Sequence, residues 1–167
     1  NNIALERIGT DSYFSFNGWG VQTLRTGDRQ GLQAIALPEI DYRLRLDDPI
    51  LGGKFQLQAN TLVIGRTSGQ DTQRAFASAR WDRRSITGLG QELLLTAFSR
   101  GDVYHSDENA SSITAIYRGD SGWKGRGTVA AAAEIRWPFV GRIFGDSTQI
   151  LTPRLQLVGT KTTANLE

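Results

Sequence analysis

The feature that most constrains this chain is the alternation of apolar and polar residues along long segments. In Asp41-Tyr42-Arg43-Leu44-Arg45-Leu46 the apolar side chains take the even positions and the charges the odd ones. In Lys54-Phe55-Gln56-Leu57-Gln58-Ala59-Asn60 the apolar set is odd. Val129, Ala131, Ala133, Ile135, Trp137 and Phe139 form another apolar row, opposed by Glu134 and Arg136; near the end Leu151, Leu155 and Leu157 alternate with Thr152, Arg154 and Gln156. Successive side chains of a strand point to opposite faces, so each segment is apolar on one face and polar on the other, and helical spacing fits none of them better. The run Ala130–Ala133 has helix propensity, but Thr128, Val129 and the following Ile-Arg-Trp-Pro favour strand.

This pattern predicts strands over 12–24, 34–46, 54–67, 73–86, 91–105, 125–139 and 147–160, with a short extra one over 111–118. Between them lie turn chemistries: Arg-Thr-Gly-Asp-Arg-Gln-Gly at 25–31, Asp-Asp-Pro-Ile-Leu-Gly-Gly at 47–53, Ser-Gly-Gln-Asp at 68–71 and Thr-Gly-Leu-Gly at 87–90. Consecutive strands joined by short turns pair antiparallel, so the expected fold is all-β, an up-and-down meander. The strands run about 11–15 residues, against about 5–6 in soluble domains. About ten residues tilted near 45° cross the apolar band of an outer-membrane barrel. The turns at 47–53 and 87–90 are short and the connections at 25–33 and 106–124 longer, an asymmetry such barrels share. The alternative is a soluble antiparallel barrel or sandwich with one wet face, binding a lipid or glycan.

Composition narrows the chemistry. With 19 basic and 17 acidic residues in 167, no strong field points to nucleic acid. Without cysteine there is no disulfide framework or thiolate site, and a single histidine argues against a transition-metal centre. The chain has no methionine, even at residue 1, and the closing Leu166-Glu167 resembles a cloning scar; together these read as a piece of something longer.

Two short motifs invite functional readings. Gly119-Asp120-Ser121-Gly122 resembles the surroundings of a protease nucleophile, with His105 and Asp102 upstream as base and orienter. Trp123 stands where that pattern needs a second glycine, so no catalytic residue is expected and the chain is not read as an enzyme. Arg-Gly-Asp occurs at 100–102 and 118–120, and only the second would sit at a loop tip, as adhesion requires. Both motifs are what a polar loop rich in Gly, Asp, Ser and Arg produces. Trp19, Trp81, Trp123, Trp137, Tyr13, Tyr42, Tyr104 and Tyr117 fall mostly near strand ends; Tyr42, Trp81, Tyr104 and Trp137 are the candidates for an aromatic girdle at membrane interfaces. Pro38, Pro138 and Pro153 lie within or beside strands, where each removes a ladder donor.

A series of stretches, in order along the chain, resembles the barrel of the LptD family of lipopolysaccharide-assembly proteins, also called organic solvent tolerance proteins. They are Arg7-Ile8-Gly9 with Ser12-Tyr13-Phe14; Leu24-Arg25-Thr26-Gly27-Asp28-Arg29-Gln30-Gly31; Ile35-Ala36-Leu37-Pro38-Glu39-Ile40-Asp41-Tyr42; and Asp48-Pro49-Ile50-Leu51-Gly52-Gly53. Gly69-Gln70-Asp71-Thr72-Gln73-Arg74, Arg100-Gly101-Asp102-Val103-Tyr104-His105, Trp137-Pro138-Phe139 and Thr148-Gln149-Ile150-Leu151-Thr152-Pro153-Arg154 continue the series. The likeness is greatest to alphaproteobacterial members. It implies a large antiparallel barrel in the Gram-negative outer membrane, plugged by an LptE-like lipoprotein. Lipopolysaccharide would arrive from an LptA-like periplasmic bridge through an N-terminal jellyroll, and leave sideways into the outer leaflet. Residues 1–165 would form a middle portion of that wall, outside the jellyroll, the disulfides and the closing strands, with no cofactor implied. In such a barrel Asp41, Arg43, Arg45, Glu134, Arg136 and Arg154 would face the lumen, either toward the lipid's sugar-phosphate headgroup or the plug, where Arg forks suit phosphate, or as a solvated polar wall with no specific ligand. The isolated chain is expected to self-associate through its open strand edges.

Overall fold

The structure is a computed structural model that describes residues 1–111, 114, 116, 119–142 and 147–163, and of 47–49 the backbone only. Ten strands follow one another: β1 (Asn2–Ile8), β2 (Ser12–Gly20), β3 (Ile35–Ile50), β4 (Gly53–Gly65), β5 (Asp71–Ile86), β6 (Glu92–Asp107), β7 (Gly122–Arg136), β8 (Phe139–Arg142), β9 (Thr148–Leu151) and β10 (Arg154–Thr162). Eight of them form one antiparallel sheet in the order β1-β2-β3-β4-β5-β6-β7-β10, and β8 pairs with β9. The expected all-β meander is therefore what forms.

The wall's two ends differ. At one end lie the residues 9–11 between β1 and β2, the turn Leu51–Gly52 and the connection 87–91; at the other lie the longer 21–34 and 108–121 and the connection 66–70. The sequence pattern placed a whole turn at 47–53, but β3 continues to Ile50 and the reversal takes only two residues. Leu51 and Gly52 both have positive φ, 58° and 77°, which is the backbone a two-residue hairpin with right-twisted arms requires. The Trp81 indole N–H, donated to the Ile50 carbonyl at 2.7 Å, holds that reversal in place.

Proline sets the irregularities. Between Ala36–Ile64 and Glu39–Leu62 the ladder places Leu37 and Pro38 against the single residue Val63, a bulge at the residue that has no N–H to give. β7 and β10 pair up to Arg136–Arg154, Trp137 N–H reaches the Pro153 carbonyl at 3.0 Å, and pairing resumes at Phe139–Leu151. The arms keep one register through the lapse at Pro138 and Pro153. The segment expected as one strand over 147–160 is thus split into β9 and β10, and β1 is a strand that the pattern missed. Of the strand expected over 111–118, Ser111 ends a 3₁₀ turn, Asn109–Ser111. Residues 112, 113, 115, 117 and 118 lie outside the described residues, as do Tyr117, Arg118 and Leu166-Glu167.

The sheet is a single layer. Among the described residues Ala36 alone is a buried hydrophobic, whereas Ser15, Asp102, Asn109 and Glu134 are buried polar groups. Large side chains stay open, including Leu155 at 62%, Leu157 at 68% and Val129 at 53% exposure. A soluble sandwich would cover such a face with a second sheet; none packs against it among the described residues, and the β1 and β10 edges are left unpaired within the chain.

Candidate functional site

Register assigns every strand residue to one of two faces, because directly opposed residues share a face. One face carries rows such as Leu5-Phe16-Ile40-Thr61-Ala75-Val103-Gly125 and Leu46-Phe55-Trp81-Ala97-Ala131-Gly159. The other carries Asp41-Asn60-Phe76-Asp102-Arg126 and Arg43-Gln58-Ser78-Arg100-Thr128. The segregation holds from β1 to β10.

The apolar band does not run along the hydrogen-bonded rows but across them. On β1 it ends at Arg7, whose row continues through Phe14, Tyr42 and Ala59 to Ala77. On β5 it continues past Ala77 to Trp81 and ends at Arg83, six residues further toward the short-turn end. The opposite border steps the same way: Gln73, His105 and Trp123 share one row, whereas on β10 the first charge is Lys161, in the row of Val129. Six residues over the four steps from β1 to β5 is about 1.5 residues per strand. With about 3.3 Å per residue and about 4.8 Å between strands, the strands tilt about 45° to the band.

The polar face is built from a repeated device, an acid and an arginine two positions apart on one strand. Arg43 donates to Asp41 at 2.6 Å, Arg80 to Asp82 at 2.6 Å and Arg100 to Asp102 at 2.6 Å, and Arg136 pairs with Glu134. Positions i and i+2 share a face of the pleat, so a strand can carry such a pair without help from its neighbours. Three pairs are reinforced across strands. Thr96 donates to Asp82 at 2.7 Å, Arg154 lies 3.5 Å from Glu134, and Arg126 lies 3.7 Å from Asp102. Arg126 also donates to the Tyr104 hydroxyl at 3.1 Å, and the Arg100 guanidinium stands 3.9 Å over the Phe76 ring. Asp102 and Glu134 are left 3% and 4% exposed, so their charge is offered to these arginines rather than to water.

Beyond these four pairs the face keeps an excess of cations: Arg45, Lys54, Arg74, Arg84, Lys124, Arg126 and Arg154, against Glu6, Glu39 and Glu92. Two hollows open on it. One, of about 520 Å³, is floored by Arg43, Arg45, Gln56, Gln58, Ser78, Arg80 and Phe98. The other, of about 430 Å³, lies toward the long loops among Leu62, Ile64, Arg74, Tyr104, Lys124 and Asp120.

The six charges expected on one face do share it, but in two groups. Asp41, Arg43 and Arg45 stand on β3; Glu134, Arg136 and Arg154 stand together on β7 and β10, with β4, β5 and β6 between. Sequence reasoning missed the middle of this face, Arg80, Asp82, Arg100, Asp102 and Arg126. For Arg80–Asp82 and Arg100–Asp102 the available signal was the same i, i+2 acid–arginine spacing, whereas Arg126 carried none. Of the girdle candidates, Trp81 and Trp137 lie at the short-turn border of the apolar face, and Tyr42 lies mid-strand on that face. Tyr104 is on the polar face, bonded to Arg126, and this corrects its reading as a lipid-interface residue. Trp123 instead marks the long-loop border, its ring 4.6 Å from that of His105.

The hydrolase motif does not assemble. Asp102 faces the polar side inside its arginine cluster, while His105 faces the apolar side against Trp123 and 3.5 Å from Asp107. The first Arg-Gly-Asp lies within β6, its arginine and aspartate bonded to each other.

A family model described as LptD: LPS transport system D matches residues 1–165. The chain belongs to the LptD family. No curated protein matches it significantly. LptD proteins carry lipopolysaccharide to the outer membrane of Gram-negative bacteria, and the family is one of transport and assembly. The LptD resemblance seen in the ordered motifs of the sequence is thereby confirmed, and the two-faced antiparallel sheet is a form suited to a barrel wall.

Proposed function

We propose that this chain is part of the wall of an outer-membrane lipopolysaccharide translocon. Its apolar face meets the acyl chains and its polar face lines the aqueous path of the sugar-phosphate headgroup. The observation that carries the reading is the oblique border of the apolar band. A barrel strand tilted about 35–45° must present an apolar band that steps along successive strands, which an aligned sandwich does not require; a soluble barrel would turn that band inward, and the labelling below separates the two. The surplus of arginine and lysine on the polar face suits an anionic headgroup, and Arg45 and Arg154, beside the two acid–arginine groups, are placed to meet phosphates or an LptE-like plug. Residues 1–165 then supply a portion of the wall, delivery comes from an LptA-like bridge, and Trp81 and Trp137 form part of the girdle at the short-turn interface.

The test uses single cysteines, which the cysteine-free chain accepts without background. With the protein in lipid vesicles, cysteines at Ala79 and Leu157 react with a water-soluble maleimide only after the lipid is dissolved, whereas those at Arg83 and Lys161 react throughout. Equal reaction at all four positions in intact vesicles defeats the reading.

A further inference from the structure

The β7–β10 hairpin reaches past the wall. β6 begins at Glu92, opposite Arg136, and the 87–91 connection turns back there, yet β8 and β9 carry the same paired register on to Arg142–Thr148. This overhang starts with one apolar rung on each face, before Gly141–Gln149 and Arg142–Thr148 complete it. Phe139 and Leu151 continue the apolar face, while Val140 and Ile150 occupy the side that elsewhere is charged. They are 44%, 70%, 70% and 69% exposed, and among the described residues no second layer packs over them. The Trp137 ring stands 5.0 Å from that of Phe139, and Arg142 lies beyond, toward the tip.

The oblique border says what lies at this depth. It reaches Arg83 on β5, in the row of Leu95 and Ala133; two further steps of about 1.5 residues per strand carry it about three residues on, to Arg136 at the end of β7, next to Trp137. Tryptophan at an apolar border, apolar rungs at that border and an arginine past them is the order of groups that suits the bilayer's headgroup region, where an amphipathic ring and aliphatic side chains enter the acyl boundary and a guanidinium reaches phosphate. Pro138 and Pro153 interrupt the ladder where the ribbon leaves the wall, so its arms are not bound to follow the wall's plane.

We propose that the β8–β9 ribbon is a membrane-surface anchor that seats its two apolar rungs in the headgroup layer at the short-turn end of the wall. The inference rests on the wall reading above and concerns a separate element.

Two single-tryptophan proteins test it in phosphatidylcholine vesicles brominated either near the glycerol end or deep in the acyl chain. One keeps Trp137 and the other keeps Trp81, the remaining tryptophans being replaced by Phe. Trp137 should lose emission in the shallow-brominated vesicles, and Val140→Asp with Ile150→Asp should restore that emission while leaving the quenching of Trp81 unchanged. Quenching of Trp81 with none of Trp137 overturns the anchor, and with it the place of Trp137 in the girdle, while the wall reading stands on Trp81. Quenching of neither overturns the wall reading, and the anchor with it.

Discussion

The indole N–H of Trp81 donates to the carbonyl of Ile50 at 2.7 Å, tying β5 to the two-residue reversal between β3 and β4. The same ring closes over Gly53, where a Cβ would stand 2.5 Å from Nε1 and 2.8 Å from the Asp82 carbonyl oxygen. Trp81→Phe keeps an apolar ring but orphans the Ile50 carbonyl, and should cost about 0.5–1.5 kcal/mol. Gly53→Ala should cost more, about 1–3 kcal/mol, because backbone as well as ring must yield. Denaturant unfolding of the refolded protein measures both. If Gly53→Ala proves the milder change, the closeness of Trp81 to Gly53 is not a constraint.

The acid–arginine pairs should differ by burial. Arg43 is 61% exposed in its side chain, so Arg43→Gln, which breaks its pair with Asp41, should leave the unfolding midpoint nearly unchanged. Asp102 is 3% exposed and faces Arg100, Arg126 and Tyr104; Asp102→Ala leaves two guanidinium groups without their acid and should cost about 1–3 kcal/mol. Comparing unfolding midpoints decides, and equal midpoints would show that burial of the Asp102 carboxylate carries no weight.

The period-two pattern alone was enough to read the strands, their antiparallel order and the two faces, because each strand states its pleat in its own residues. Leu44 was placed on the apolar side by position parity, without a partner strand. β1 escaped because Asn2–Ile8 is short and its alternation is broken by Glu6-Arg7. Pro38 signalled a lost ladder donor, but the bulge itself needed the register with β2 and β4. The side of Tyr104 was readable and was missed. On β6 the apolar set is odd, Leu93, Leu95, Ala97 and Val103, so an even residue faces away from it, but nearness to a strand end was weighed instead. The Asp102 cluster needed register, since nothing in the sequence brings Arg126 to Asp102.

In buffer without lipid or detergent the chain should self-associate. The β1 and β10 edges offer unpaired ladder groups, and the apolar face exposes Leu155 and Leu157 in a single layer. Light scattering should give a mass above the monomer's, falling when detergent is added. A sharp monomer that melts cooperatively in plain buffer would restore the soluble-domain alternative.

The clearest test lies in two adjacent residues of β3. Leu44 shares a row with Ser12, Leu57 and Ala79 on the apolar face, and Arg45 shares one with Gln56 and Arg80 on the polar face. Arginine on the lipid side near the bilayer midplane costs about 2–4 kcal/mol, falling toward zero at the interfaces. Leu44→Arg should therefore destabilise the protein in vesicles by a few kcal/mol if that position lies deep, while Arg45→Leu should be mild, since Arg45 already faces the hollow. The pleat forbids the two changes from being alike at equal depth, because a slip of one residue would invert every side chain of the strand. A soluble sheet would also resist Leu44→Arg, so unfolding alone does not separate the cases. Labelling of single cysteines does: position 44 must be shielded by lipid and opened by its removal, and position 45 must be reachable from water throughout. Equal access at 44 and 45 in intact vesicles would mean that the apolar face of β3 does not meet the membrane.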